Sequence, residues 1–183
     1  KGLEVVAGVL RGECERQNEV FFHFMRTKLP FTVLKYAMTL DGKTATVSGK
    51  SQWITGEAAR KRVHEDRGRY MAILTGVSTV LADNPQLTCR IPGGKNPIRV
   101  IADTKLRTPL SSTVVQSARE TPTWIVTAVS DTGRKKAYED AGCRVLSVPA
   151  KEGELDLQAM MQRLGEEKVD SVMVESGGTL AWS

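Results

Sequence analysis

The sequence predicts an α/β fold with a largely parallel central sheet flanked by helices, and three observations carry that expectation. Short apolar runs recur at residues 71–75, 98–102 and 123–129, each brief and apolar enough to read as a buried strand. Further strand-like runs follow at 144–148 and 170–174, and helical stretches of roughly ten to fifteen residues separate strands, the order a parallel sheet requires. Glycines punctuate the pattern, with Gly76 stopping the first run and Gly142 and Gly165 closing helical stretches.

Taken in order, residues 9–26 read as one helix with Val9, Cys14, Phe21, Phe24 and Met25 as its buried members. Pro30 disfavours helix at Leu29 and marks a boundary. Residues 1–30 are therefore expected to be a connector or the tail of an upstream unit, and a start at Lys1 fits an excised piece. Residues 31–38 read as a strand through Phe31, Val33, Tyr36 and Ala37. Thr55 can cap a helix reaching Tyr70, with Glu57 favourably placed in its first turn and Ala59, Val63 and Tyr70 on its apolar face. Residues 93–97 form a turn-rich loop. Ser130 can cap the helix that Gly142 ends, and residues 156–164 form another with Leu157, Met160, Met161 and Leu164 inward.

The composition excludes several classes of function. With 40% apolar and 26% charged residues among 183, the chain resembles an ordinary soluble domain, and its apolar runs are too short to span a bilayer. No leader segment is visible, so no membrane association and a cytoplasmic location are expected. Cys14, Cys89 and Cys143 form no C-x-x-C pair and neither His23 nor His64 lies near a cysteine, so no metal site is expected. The net charge of +5 suits either nucleic acid or a small anionic ligand. Aromatics make up only 5% and no Lys/Arg block interleaves with them, which favours a phosphorylated small molecule over nucleic acid.

In open α/β sheets ligands bind beyond the carboxyl ends of the strands. Those ends carry residues 39–43, Gly76, Asp103-Thr104 and Glu175-Ser176-Gly177-Gly178. The last turn, opening toward a helix, could cradle a phosphate on backbone N–H groups or be an ordinary tight turn. Arg67 lies beside the apolar face of its helix, where it either snorkels to a carboxylate or serves as a fork-shaped phosphate donor, with Arg90 as a second. Lys35, between apolar neighbours, is either on an edge or a proton-handling group opposite Glu175. Trp53 is either a core tryptophan or a stacking surface for a flat heterocycle.

The stretches LKYAMTLDGK at 34–43, SGKSQWIT at 48–55, GVSTVLADNPQLTCR at 76–90 and VESGG at 174–178 together resemble the C-terminal reductase domain of the bifunctional riboflavin-biosynthesis deaminase/reductases. The resemblance covers nearly all of residues 31–183 and implies a dihydrofolate-reductase-like fold. It implies NADPH as cofactor and 5-amino-6-(5-phosphoribosylamino)uracil as substrate, reduced by hydride transfer to ribose C1′. By motif position it implies NADPH contacts at Ala37, Trp53, Thr79, Asp83, Thr104 and the run from Gly177 through Gly178, Thr179 and Leu180 to residue 183. It implies substrate contacts at Ser51, Arg67, Leu87, Arg90 and Glu175, and Lys35 matches a lysine with a suspected direct role. The deaminase zinc signature is absent, and family members continue beyond residue 183, so the domain reads as C-terminally truncated. A homodimer or higher homo-oligomer is expected of the full-length protein. A pterin or folate reductase of the same fold and a non-catalytic nucleotide-binding module remain as alternatives.

Overall fold

The computed structural model describes residues 2–49, 51, 53–177 and 180. Two short helices, α1 (Arg11–Gln17) and α2 (Glu19–Thr27), precede strand β1 (Phe31–Lys35). Next come α3 (Glu57–Arg69), β2 (Ala72–Gly76), α4 (Val77–Asp83), β3 (Ile98–Ala102), α5 (Thr113–Gln116), β4 (Thr123–Thr127), α6 (Thr132–Asp140) and β5 (Arg144–Ser147). A small hairpin of β6 (Ala150–Lys151) and β7 (Glu154–Leu155) leads to α7 (Leu157–Glu166) and β8 (Ser171–Glu175). Six strands form one sheet in the order β1-β8-β2-β3-β4-β5, and every pairing is parallel.

The continuous apolar character of the inner strands follows from cover on both faces. Ala72, Leu74, Val100, Val126, Val172 and Val174 pack against Met160 and Leu164 of α7. Ile73, Ile101 and Ile125 face the other way, toward Val77 and Val80 of α4, Val114 and Val115 of α5 and Tyr138 of α6. β1 at the sheet edge instead alternates between half-buried and exposed positions. Met160 and Leu164 are 1% and 0% exposed, so each contributes on the order of 2–3 kcal/mol of apolar burial.

Several expectations need correction. The helix foreseen over residues 9–26 is two helices, because the Asn18 side chain donates to Cys14 O at 2.9 Å and its backbone leaves the helical region. Val9, Cys14, Phe21 and Met25 are exposed and Phe24 is half-buried, since only a narrow side of α2 meets β1. The first strand stops at Lys35 because its partner β8 ends opposite it, at Glu175. Thr55 does not cap α3; Gly56 occupies that position without a side-chain cap. Ala59 is exposed and α3 buries no residue. The α6 cap is Asp131, whose carboxylate accepts the Arg134 N–H at 3.1 Å, one residue beyond Ser130. Gly76 does end β2, but a helix follows at once.

Gly165 lies within the last turn of α7, not beyond it, and a Cβ there would collide with the Lys28 carbonyl at the end of α2. This contact fixes the N-terminal helices to the sheet layer. Gly165→Ala is expected to lower stability by about 1–3 kcal/mol through overpacking, read as a lower denaturant midpoint. An unchanged midpoint would show that the contact yields freely. Among the described residues no helix is long and apolar enough to cross a membrane.

Candidate functional site

The inward side of α3 is polar rather than apolar. Arg60, Val63, His64 and Arg67 are its half-buried members between Arg60 and Arg67 apart from Asp66, and the spacing of 60, 64 and 67 puts those three side chains on one face. Each reaches a different segment of the chain.

Arg67 makes a two-pronged contact with Glu175, Nε donating to Oε1 at 2.7 Å and Nη2 to Oε2 at 2.9 Å, while Nη1 donates to Thr88 O at 3.0 Å. Glu175 ends β8, and its register partner Lys35 ends β1. The two point to the same side of the sheet, with Lys35 Nζ 3.7 Å from Glu175 Oε2. The Arg67 and Glu175 side chains are only 12% and 10% exposed against 33% for Lys35. The fork is thus shielded from water and rigid, whereas the lysine is open to solvent.

His64 meets the loop that follows α4. Its Nδ1 accepts the Arg90 backbone N–H at 3.3 Å, its Nε2 lies 3.2 Å from Arg90 Nη2, and its carbonyl accepts from Cys89 Sγ at 3.1 Å. Burial, then the positive charges of Arg67 and Arg90, hold the imidazole below its ordinary value of 6.5, so it is neutral at pH 7. Arg60 donates to Thr55 O at 2.6 Å and places its guanidinium 4.5 Å from the Trp53 ring centroid.

The structure therefore brings Lys35, Glu175 and Arg67 into direct contact, and α3 also carries His64, which holds Arg90 of the loop after α4. Arg67 and Arg90 are not a matched pair of free forks. Arg67 is committed to Glu175 and Thr88, and of the two Arg90 remains an exposed guanidinium with no carboxylate partner among the described residues. Leu87 is 4% exposed and belongs to the core, with φ of 54°, so its backbone is what it can present to a ligand. Ser51 is exposed, Trp53 is 71% exposed and Ala37 is half-buried just past β1. Thr79 and Asp83 lie four residues apart on α4.

The Thr104 hydroxyl is already engaged, donating to Glu154 Oε2 at 3.2 Å and accepting the Leu155 N–H at 3.2 Å from the β6–β7 hairpin. Its neighbour Asp103 is fully buried and accepts both the backbone and the hydroxyl of Thr108 at 2.7 Å, anchoring the loop after β3. Gly177 is exposed, Leu180 packs on the core beside Gly76, and Gly178 and Thr179 lie outside the described residues. Sequence reasoning missed Arg60 and His64. Their helical spacing to Arg67 was the available signal, obscured by assigning the inward face to Ala59 and Tyr70.

The RibD C-terminal domain family matches residues 30–183. The riboflavin biosynthesis protein RibD of Actinobacillus pleuropneumoniae is 48% identical over 182 residues, covering 100% of this chain and 48% of that protein. A 2,5-diamino-6-ribosylamino-4(3H)-pyrimidinone 5′-phosphate reductase from Methanothermobacter thermautotrophicus is 40% identical over 157 residues, covering 84% of this chain and 70% of that protein. The crystal structure of a diaminohydroxyphosphoribosylaminopyrimidine deaminase/5-amino-6-(5-phosphoribosylamino)uracil reductase from Thermotoga maritima superposes with a TM-score of 0.80 at 36% identity, over 100% of this chain and 48% of that one. The chain spans about half the length of the RibD relatives it matches. Motifs, sheet order and matches agree, and the chain belongs to the RibD C-terminal domain family.

Proposed function

We propose that this chain is the reductase portion of a riboflavin-biosynthesis enzyme, reducing 5-amino-6-(5-phosphoribosylamino)uracil at ribose C1′ to the ribitylamino product with NADPH as hydride donor. The observation that carries this reading is the cluster of Lys35 and Glu175 at adjacent strand ends with Arg67 of α3, and beyond it Arg90, which has no carboxylate partner among the described residues. A polar heterocycle joined to a phosphorylated sugar needs a fixed hydrogen-bond acceptor at one end and cations at the other. Glu175, held in one orientation by Arg67, is that acceptor. Arg90 supplies the cation. Lys35 keeps a proton at the open side of the cluster, where an open-chain imine nitrogen would gain one as its carbon is reduced.

Trp53, Thr79 and Asp83 are the described residues that fit a dinucleotide. An exposed indole with a guanidinium over its ring suits a flat group beside a phosphate. Thr104 fits less well, because the hairpin already holds its hydroxyl. NADPH, when bound, would supply the hydride, and the chain's contribution is placement and charge.

The test is consumption of NADPH by the full-length protein, with the ribosylaminouracil phosphate and its diamino-pyrimidinone counterpart offered side by side. Faster turnover of the uracil is expected, since the RibD relatives match 100% and 98% of this chain and the diamino-pyrimidinone reductase 84%. Faster turnover of dihydrofolate would favour a pterin reductase, and cofactor binding without any turnover would favour a non-catalytic module.

A further inference from the structure

His64 is neutral, and a neutral imidazole carries one N–H and one acceptor nitrogen. Both of its nitrogens nevertheless face donors of Arg90, the backbone N–H at 3.3 Å from Nδ1 and the guanidinium Nη2 at 3.2 Å from Nε2. Arginine nitrogens donate and cannot accept. With Nδ1 accepting from the backbone, the proton sits on Nε2, and Nε2–H then points at a guanidinium N–H. The other tautomer moves the same conflict to Nδ1. Either way two donors converge with no acceptor between them, and a negatively charged oxygen would satisfy both.

We propose that His64 is the second side-chain donor of a phosphate site shared with Arg90, its Nε2–H binding one phosphate oxygen while the Arg90 guanidinium binds others. The backbone contact from Arg90 to Nδ1 fixes both the tautomer and the ring. The helix bearing His64 also bears Arg67, so the phosphate site and the Glu175 cluster hold a constant separation. Glu175 and Arg67 also act on the ring, and they are paired with each other. The proposal rests on the phosphorylated-substrate reading only for the identity of the ligand.

His23 and His64 are the only histidines in the chain, which makes the imidazole resonances a direct readout. Titration of the full chain with inorganic phosphate, and separately with ribose 5-phosphate, is expected to shift the His64 resonances saturably and leave those of His23 still. Arg90→Ala should weaken the titration about tenfold or more. In turnover, His64→Ala should raise KM about tenfold for the phosphorylated substrate and little for the phosphate-free riboside, with His64→Gln recovering much of the difference because its amide can place a donor near Nε2. A motionless His64 in a protein that turns over the phosphorylated substrate would overturn the proposal and leave the reductase reading intact. Equal KM increases for both substrates would also overturn it, by reducing His64 to a structural support. A shifting His64 in a protein that never turns over would sink the reductase reading and leave the phosphate site standing.

Discussion

Glu175→Gln is expected to lower kcat/KM for the ribosylaminouracil phosphate by about a hundredfold or more, a loss of roughly 3 kcal/mol in transition-state stabilisation. The change keeps the shape of the side chain and removes its charge. Three groups feel it at once. Arg67 loses a counter-ion in a place only 12% exposed, Lys35 loses the carboxylate 3.7 Å from its ammonium, and the substrate loses a charged acceptor. Breaking a shielded pair leaves an uncompensated charge, and the open side toward Lys35 moderates the cost to about 2 kcal/mol of stability. Rates measured well below the melting temperature separate the two effects. Wild-type kcat/KM in a destabilised Glu175→Gln protein would make the carboxylate a structural anchor and nothing more.

Arg99→Met is expected to give the largest loss of stability of any substitution at a buried polar position, about 3 kcal/mol. Arg99 is 1% exposed in the middle of the sheet and has no carboxylate partner among the described residues. Its guanidinium donates to Gln86 O at 3.2 Å, Ser117 Oγ at 2.8 Å, Val114 O at 3.1 Å, Ser117 O at 3.1 Å and Thr121 O at 2.8 Å. Burial lowers its pKa to about 10, so it remains protonated at neutral pH. A depression of that size corresponds to a cost of roughly 3 kcal/mol for holding the charge there. Hydrogen bonds from a charged donor contribute about 1.5–3 kcal/mol each, so the five together outweigh the penalty. Methionine fills the volume and strands the carbonyls. Arg99→Lys should recover only part of the loss, because one ammonium cannot reach acceptors on α5 and on both flanking loops. Denaturant unfolding decides it: a midpoint within experimental error of wild type would mean that water replaces the guanidinium.

The inner strands were legible because they are covered on both faces. Residues 98–102 were read as a strand and form one, and 71–75 was read one residue early because Met71 is 42% exposed and caps the run instead of joining it. The β6–β7 hairpin was not legible. It has two residues per strand and no apolar run, and the positive φ of Glu152 and Gly153 makes its turn. Glu175 and Lys35 could be named from sequence as strand-end residues, but only register places them opposite each other. Arg99 gave no sign of its role, since its acceptors are mainly carbonyls of loops that no pattern in the chain brings together. The α3 face misled for a physical reason. That helix packs over the strand ends around a charged cluster, so its inward side carries Arg60, His64 and Arg67 where a helix over the core would carry leucines.

Strand β8 enters the sheet between β1 and β2, touching both. During synthesis β1 and β2 therefore emerge early and wait, each with an unsatisfied row of amide groups, until residues 171–175 leave the ribosome. Closing that gap joins segments separated by a hundred positions or more, which makes slow folding and strand exchange between nascent copies the hazards of this topology. It also makes Glu175 a checkpoint, because the fork to Arg67 can close only in a molecule whose β8 has found its slot.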